Sequence, residues 1–165
     1  MLETGDVDLA LGFMPQLDAG FYQQALFGQN YVCLASVDHP RIHGSLSRAQ
    51  FENEEHAAVI SSGTGHGYLD RELERQNIGR KVVLRVPNFL GVAFVVEHTD
   101  LVVTIPARLG EMLGAHGRFR IYPTPFAIPS YTVKQFWHER FHRDPGNRWL
   151  RSVIWELLGE PSAES

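Results

Sequence analysis

Short apolar runs of strand length alternate along this chain with segments whose apolar residues recur at helical spacing. The runs are 57–60, 82–86, 101–105 and 119–122; the helical segments between them are 68–76, 90–97 and 107–113. A chain patterned this way folds as α/β with mainly parallel sheet, each helix carrying the chain back to begin the next strand. Further strands are expected at 7–12, 21–26, 31–34 and 131–137, and a short helix at 47–54, capped by Ser45 or Ser47. The segment 90–97 is apolar enough to read as a buried helix. Asp144-Pro145 marks a helix start, an N-cap followed by Pro at the first helical position. Trp149, Leu150, Val153, Ile154, Leu157 and Leu158 then share one face of that helix.

The length of 165 residues suits one domain or two small lobes, and 44% hydrophobic residues are enough for a core. The stretch 29–122 can close as one lobe, leaving 1–28 and 123–165 to share a second. Two-lobed α/β proteins take small ligands in the crevice outside the carboxyl ends of strands. A formal net charge of −4 argues against nucleic-acid binding by this chain alone. The single cysteine, Cys33, excludes an internal disulfide and a cysteine-rich zinc module, and suits a reducing cytoplasm. No apolar run approaches the roughly 18 residues of a membrane span, and no basic-then-apolar leader opens the chain. Leu2-Glu3-Thr4-Gly5 reads as the last turn of a helix stopped by Gly5, so the chain is expected to begin mid-fold. There is no internal repeat, and the tail 159–165 is expected to fray.

Two motifs carry possible chemistry. His138-Glu139-Arg140-Phe141-His142 matches H-E-x-x-H, which binds zinc only on a helix, where residues four apart face one ion. Here the alternation over 132–137 reads as strand. Continued through the motif, a strand would set the two histidines about 13 Å apart, at roughly 3.3 Å per residue. We therefore read an exposed polar strand end, with a zinc hydrolase using His138, Glu139 and His142 as the alternative. The second motif, Gly63-Thr64-Gly65-His66-Gly67, follows a buried strand and opens a helix, where free backbone N–H groups meet an anion. It lacks the Lys of a phosphate-binding Walker loop, and Tyr68 breaks the dinucleotide pattern. A carboxylate is the better guest, a plain capped turn the simpler explanation.

Nucleophilic catalysis has little support: there is no G-x-S-x-G elbow, and Cys33 lies in an apolar strand as a small core residue. Glu52, Glu54 and Glu55 look like a solvated helix end. His39, His43, His56, His98 and His116 are scattered singly and are expected mostly at the surface or in caps. Phe13-Met14-Pro15 and Pro87-Asn88-Phe89 each follow a strand and offer apolar walls, although core packing explains Phe13 and Phe89 equally well.

Several of these segments together resemble the LysR-type transcriptional regulators. They are Leu2-Glu3-Thr4-Gly5-Asp6-Val7-Asp8-Leu9-Ala10-Leu11-Gly12; Tyr31-Val32-Cys33-Leu34 with Asp38-His39-Pro40; and Thr99-Asp100-Leu101-Val102-Val103-Thr104-Ile105-Pro106. The glycine motif, Val86-Pro87-Asn88-Phe89, Phe136-Trp137-His138 and Phe141-His142-Arg143-Asp144-Pro145-Gly146-Asn147-Arg148-Trp149-Leu150-Arg151 are similar to the branch with the naphthalene/salicylate, nitrotoluene and nodulation regulators. The resemblance implies an effector-binding domain of the periplasmic-binding-protein type, two Rossmann-like lobes enclosing a small effector, often an aromatic carboxylate. It places Phe13, Met14, Thr64, Gly65, His66, Asn88 and Phe89 at effector-binding positions, with no cofactor, no metal and no catalytic residue. Relatives carry His where this chain has Asn88. A neutral amide offers a carboxylate no cation, which argues against salicylate-like specificity.

The resemblance also implies a winged helix-turn-helix and a linker helix that this chain lacks. The first lobe is then expected to be incomplete, to expose apolar edge and to pair with another copy, as a dimer or tetramer. Operator DNA would be a partner of the intact regulator, not of this chain alone, and no membrane is involved. A transporter's solute-binding protein and a regulator piece serving only subunit contacts are the remaining alternatives.

Overall fold

The computed structural model describes residues 2, 5–15, 17, 20–60 and 67–160. The chain divides into two compact units, Met1–Gln29 with Tyr131–Ser165, and Asn30–Ser130.

The second unit is built on a five-stranded sheet. Its elements are β3 (Tyr31–Ser36), α1 (Arg48–Asn53), β4 (Glu55–Val59), α2 (Gly67–Arg75), β5 (Lys81–Val86), α3 (Phe89–Glu97), β6 (Val102–Pro106), α4 (Ala107–Gly114) and β7 (Phe119–Pro123). The strand order is β5-β4-β6-β3-β7. Strands β5, β4 and β6 run parallel, whereas β3 is antiparallel to both β6 and β7.

Alternation along the inner strands explains the layering, because successive side chains point to opposite faces. Cys33, Ala35 and Val102 join one core with Phe51 of α1 and Leu69 and Leu73 of α2. Their neighbours Leu34, Val103 and Ile105 join a second core with Val92 and Val96 of α3 and, at its edge, Leu109 and Leu113 of α4. A strand sandwiched between two cores has no polar face, so β6 is buried at four consecutive residues from Val102 to Ile105. The edge strand β5 instead alternates, with Lys81, Val83 and Arg85 exposed and Val82, Leu84 and Val86 half-buried. Gly110 lets α4 lie close on β3, since a Cβ there would come within 2.6 Å of Val32.

Helices α1 and α3 start where side chains satisfy free N–H groups, whereas α4 follows Pro106 without a side-chain cap. Ser47 caps α1 in a reciprocal capping box with Gln50. Asn88 caps α3, its Oδ1 accepting from the Gly91 amide at 2.7 Å.

The first unit is a three-stranded antiparallel sheet of order β1-β8-β2, from β1 (Ala10–Gly12), β2 (Phe21–Gln29) and β8 (Tyr131–His138). The central β8 pairs Phe136 with Ala10 on one side and with Gln23 on the other. One 3-10 turn (Glu139–Phe141) follows, then α5 (Pro145–Leu158), capped by Asp144 with Pro145 in its first turn.

Several expectations need correction. The sheet is not mainly parallel throughout: the first unit is wholly antiparallel and β3 runs against its neighbours. Residues 123–130 belong to the second unit, where Phe126 and Ile128 pack on the core and Phe126 meets Phe51 edge-on at 4.9 Å. Helix α3 is buried on one face only, with Leu90 and Phe94 exposed. The apolar stripe of α5 is exposed at Trp149 and Leu157, and the buried residues of that helix are Asn147 and Arg151. Of the scattered histidines, His43, His98 and His116 are exposed, as expected of most of them, while His39 and His56 are buried. Glu54 is not a solvated helix end. It is 7% exposed and chelated by Arg41, whose Nε and Nη2 donate to its carboxylate at 2.8–3.0 Å.

Candidate functional site

In the second unit, parallel β4 and β5 end side by side, tied by the Ile60 N–H donating to the Val86 carbonyl at 2.9 Å. Each strand then runs toward a helix: β4 toward α2 across 61–66, β5 into α3 through Pro87 and Asn88. Carboxyl ends of parallel strands facing helix N-termini form the usual ligand-binding edge of an α/β sheet. Thr64, Gly65 and His66 lie outside the described residues. Asn88 is exposed, and its side-chain oxygen is held by the Gly91 amide. An amide fixed through its oxygen can donate through its nitrogen, which suits a carboxylate acceptor. Phe89 is half-buried against the core of Val92, Val103 and Ile105, so it serves packing whatever else it touches.

Phe13 and Met14 follow β1 in the first unit, both half-buried, and the Phe13 ring lies 5.0 Å from that of Tyr131. The structure thus brings Phe13 together with Met14, and Asn88 together with Phe89.

The H-E-x-x-H segment is neither an α-helix nor a continued strand. Strand β8 stops at His138 and the chain turns through Glu139–Phe141. His138 Nδ1 accepts from the Arg140 backbone N–H at 3.2 Å, and His142 Nδ1 accepts from the Trp137 indole at 3.3 Å. The Nδ1 atom of each histidine is thus engaged locally. Among the described residues, no three His, Cys, Asp or Glu side chains converge on a common ion position.

The buried histidines are structural. His39 Nδ1 accepts from the backbone N–H groups of Arg41 and Ile42, so Nε2 carries the proton and donates to the Asp100 carbonyl at 2.9 Å. His56 Nε2 donates to the Phe51 carbonyl at 2.7 Å, and burial pulls its pKa down to about 4. Cys33 is fully buried beside the Thr104 hydroxyl, and burial pushes its thiol up to about 12, so it stays protonated and unreactive.

The sequence reading passed over the arginines that follow β8. Arg140, Arg143, Arg148 and Arg151 fall within twelve residues, with Asp144 the sole acid among them. Together with His138 and His142 they line a cavity in the first unit. The cluster was visible as a charge run; the burial of Arg151 was not.

Comparison with known proteins accords with this architecture. The LysR substrate binding domain family matches residues 1–159. The chain is 40% identical to the HTH-type transcriptional activator NagR of Ralstonia sp over 159 residues, 96% of this chain and 53% of NagR. It is 38% identical to the HTH-type transcriptional activator NahR of Pseudomonas putida, covering 95% of this chain and 52% of NahR. The chain therefore spans about half the length of the curated relatives it matches. Among solved structures, the regulatory domain of MexT, a transcriptional activator in Pseudomonas aeruginosa, superposes with a TM-score of 0.78 at 28% identity, over 95% of this chain and 77% of that one. No helix among the described residues is long and apolar enough to cross a membrane. With the family matched over residues 1–159, the chain belongs to the LysR substrate-binding domains.

Proposed function

We propose that this domain senses a small aromatic acid and relays its presence to a DNA-bound regulator working in the cytoplasm. The observation that carries the proposal is the paired ending of β4 and β5, where the Ile60–Val86 bond sets the end of β4 beside the strand that leads through Pro87 and Asn88 into α3. Asn88 caps α3 there. The effector-contacting set is Phe13, Met14, Thr64, Gly65, His66, Asn88 and Phe89, as the motif resemblance assigns them. The aromatic ring supplies affinity by burial, at about 25 cal/mol per Å². The carboxylate takes hydrogen bonds from the glycine-rich turn and from the Asn88 amide nitrogen. His66 offers the carboxylate an imidazole N–H. The effector acts by binding one arrangement of the regulator better than another, which shifts the population of DNA-bound states. Operator contacts belong to the helix-turn-helix of a full-length regulator. Self-association accompanies them, through apolar residues such as Trp149 and Leu157 that α5 leaves exposed.

Calorimetric titration with a panel of aromatic acids tests the proposal. His66→Ala is expected to weaken binding of the best ligand at least about tenfold, equivalent to one charge-assisted hydrogen bond, with the melting temperature unchanged. Equal affinity in the variant removes His66 from the site, and no binding across the panel removes the aromatic-acid assignment.

A further inference from the structure

We propose that the first unit carries a second, separate ligand site: a cradle for a phosphate group, formed where β8 turns into α5. Its cavity, of about 750 Å³, has Tyr22, Glu139, His142, Arg143, Arg148 and Arg151 in its lining. The guanidinium groups of Arg143, Arg148 and Arg151 outnumber the one carboxylate of that lining, Glu139.

The arrangement is built rather than incidental, and Arg151 shows why. This residue is 8% exposed. Its guanidinium lies 4.0 Å above the Trp137 ring, and its Nη2 donates to the His142 carbonyl at 3.1 Å. Its Nη1 is buried with no hydrogen-bond partner among the described residues. A buried guanidinium without an anion is costly, and an unmade hydrogen bond adds to that cost. Burial first, and the neighbouring Arg148 second, pull its pKa below the ordinary value. An oxyanion seated against Arg151 relieves all three.

Two further groups suit the same guest. His142 stacks on Tyr22 at 3.9 Å and accepts at Nδ1 from Trp137, which leaves the proton on Nε2 as a donor. Arg143 precedes the Asp144 cap of α5, and Arg148 lies in that helix's first turn. Cations are disfavoured at the positive end of a helix dipole, so placing two there costs stability that a bound dianion returns. Arg143, Arg148 and Arg151 line the same cavity, and several guanidinium forks suit the several oxygens of a phosphate better than the two of a carboxylate.

The test is titration calorimetry in low-chloride buffer, with inorganic phosphate and glucose 6-phosphate as separate probes. The expected result is saturable binding of at least one, weakened at least about tenfold by Arg143→Gln with Arg148→Gln. Both side chains are exposed, so the fold survives the change. Arg120→Gln, an exposed arginine of the second unit, is expected to change nothing. Arg151→Lys, which keeps the charge and loses the fork, is expected to weaken binding too. Binding of both probes assigns the site to the phosphate group itself, and binding of the ester alone assigns it to an organic phosphate. No binding at millimolar concentration of either probe overturns the proposal. So does equal weakening by Arg120→Gln, or acetate binding as tightly as phosphate.

Discussion

The two units spend their apolar residues differently. In the second, helices cover both faces of the sheet, and residues as large as Phe51, Leu34 and Ile105 are almost wholly buried. In the first, the buried apolar side chains among the described residues are Leu26, Phe136 and Trp137, and they share the interior with Gln29, Gln135, Asn147 and Arg151. Meanwhile Trp149 is 66% exposed and Leu157 is 75% exposed. One unit is a closed hydrophobic structure; the other is held by strand pairing and polar contacts around a single covering helix. Stability should therefore reside in the second unit, while the first has polar groups to spare for ligands.

Deleting one ring from each unit is the strongest way to break that contrast. Phe51 is fully buried between His56 and Phe126, so Phe51→Ala should cost about 3–5 kcal/mol by denaturant unfolding. Trp149→Ala, the same kind of deletion on the first unit, should stay within about 0.5 kcal/mol. Similar losses from both would mean the first unit has a core of its own kind.

Acid should separate the units next. His56 must stay neutral in the fold, with its pKa held at about 4 by burial, while the unfolded chain binds its proton near 6.5. A depressed histidine leaves stability flat above pH 6.5 and erodes it as pH falls toward 4, by about 3 kcal/mol in all. His56→Gln should flatten the pH dependence of unfolding over that window, whatever it does to stability at neutral pH. An unchanged slope would assign the acid sensitivity to other groups.

The smallest expected effect sharpens the division of labour at Asn88. Asn88→Ala removes a helix cap and should cost about 1 kcal/mol. Asn88→Asp keeps the cap and adds a favourable charge at the helix start, so the melt should hold or rise. The same charge repels a carboxylate, so aromatic-acid binding should fall sharply in Asn88→Asp. Retained binding would leave Asn88 a cap and nothing more.

Much of the fold was legible because local chemistry and long-range packing agree. Ser47 and Asp144 announce helix starts by side-chain geometry alone, and the alternating run 57–122 reports its strands and helices directly. The direction of β3 was not legible, since a buried strand looks the same whichever way it runs. The burial of His39 was not legible, because its second partner, the Asp100 carbonyl, is 61 residues away. Glu54 was misjudged for the same kind of reason: nothing near it in sequence announces Arg41 as a chelating partner. The α5 stripe was legible as a pattern, yet the face turned inward carries Asn147 and Arg151. Arg151 is tolerated there only because Trp137 and the His142 carbonyl wait for it. At the candidate effector site, the strand endings and the Pro87-Asn88 turn could be read, but the capping role of Asn88 could not be told from a ligand contact.

Backbone amide chemical shifts, followed while an aromatic acid is titrated into isotopically labelled protein, address the effector site most directly. Perturbation concentrated at residues 61–67 and 88–91, beyond the ends of β4 and β5, is the predicted result. Perturbation confined to 139–151, with those turns silent, would contradict it and give the acid to the arginine cradle instead.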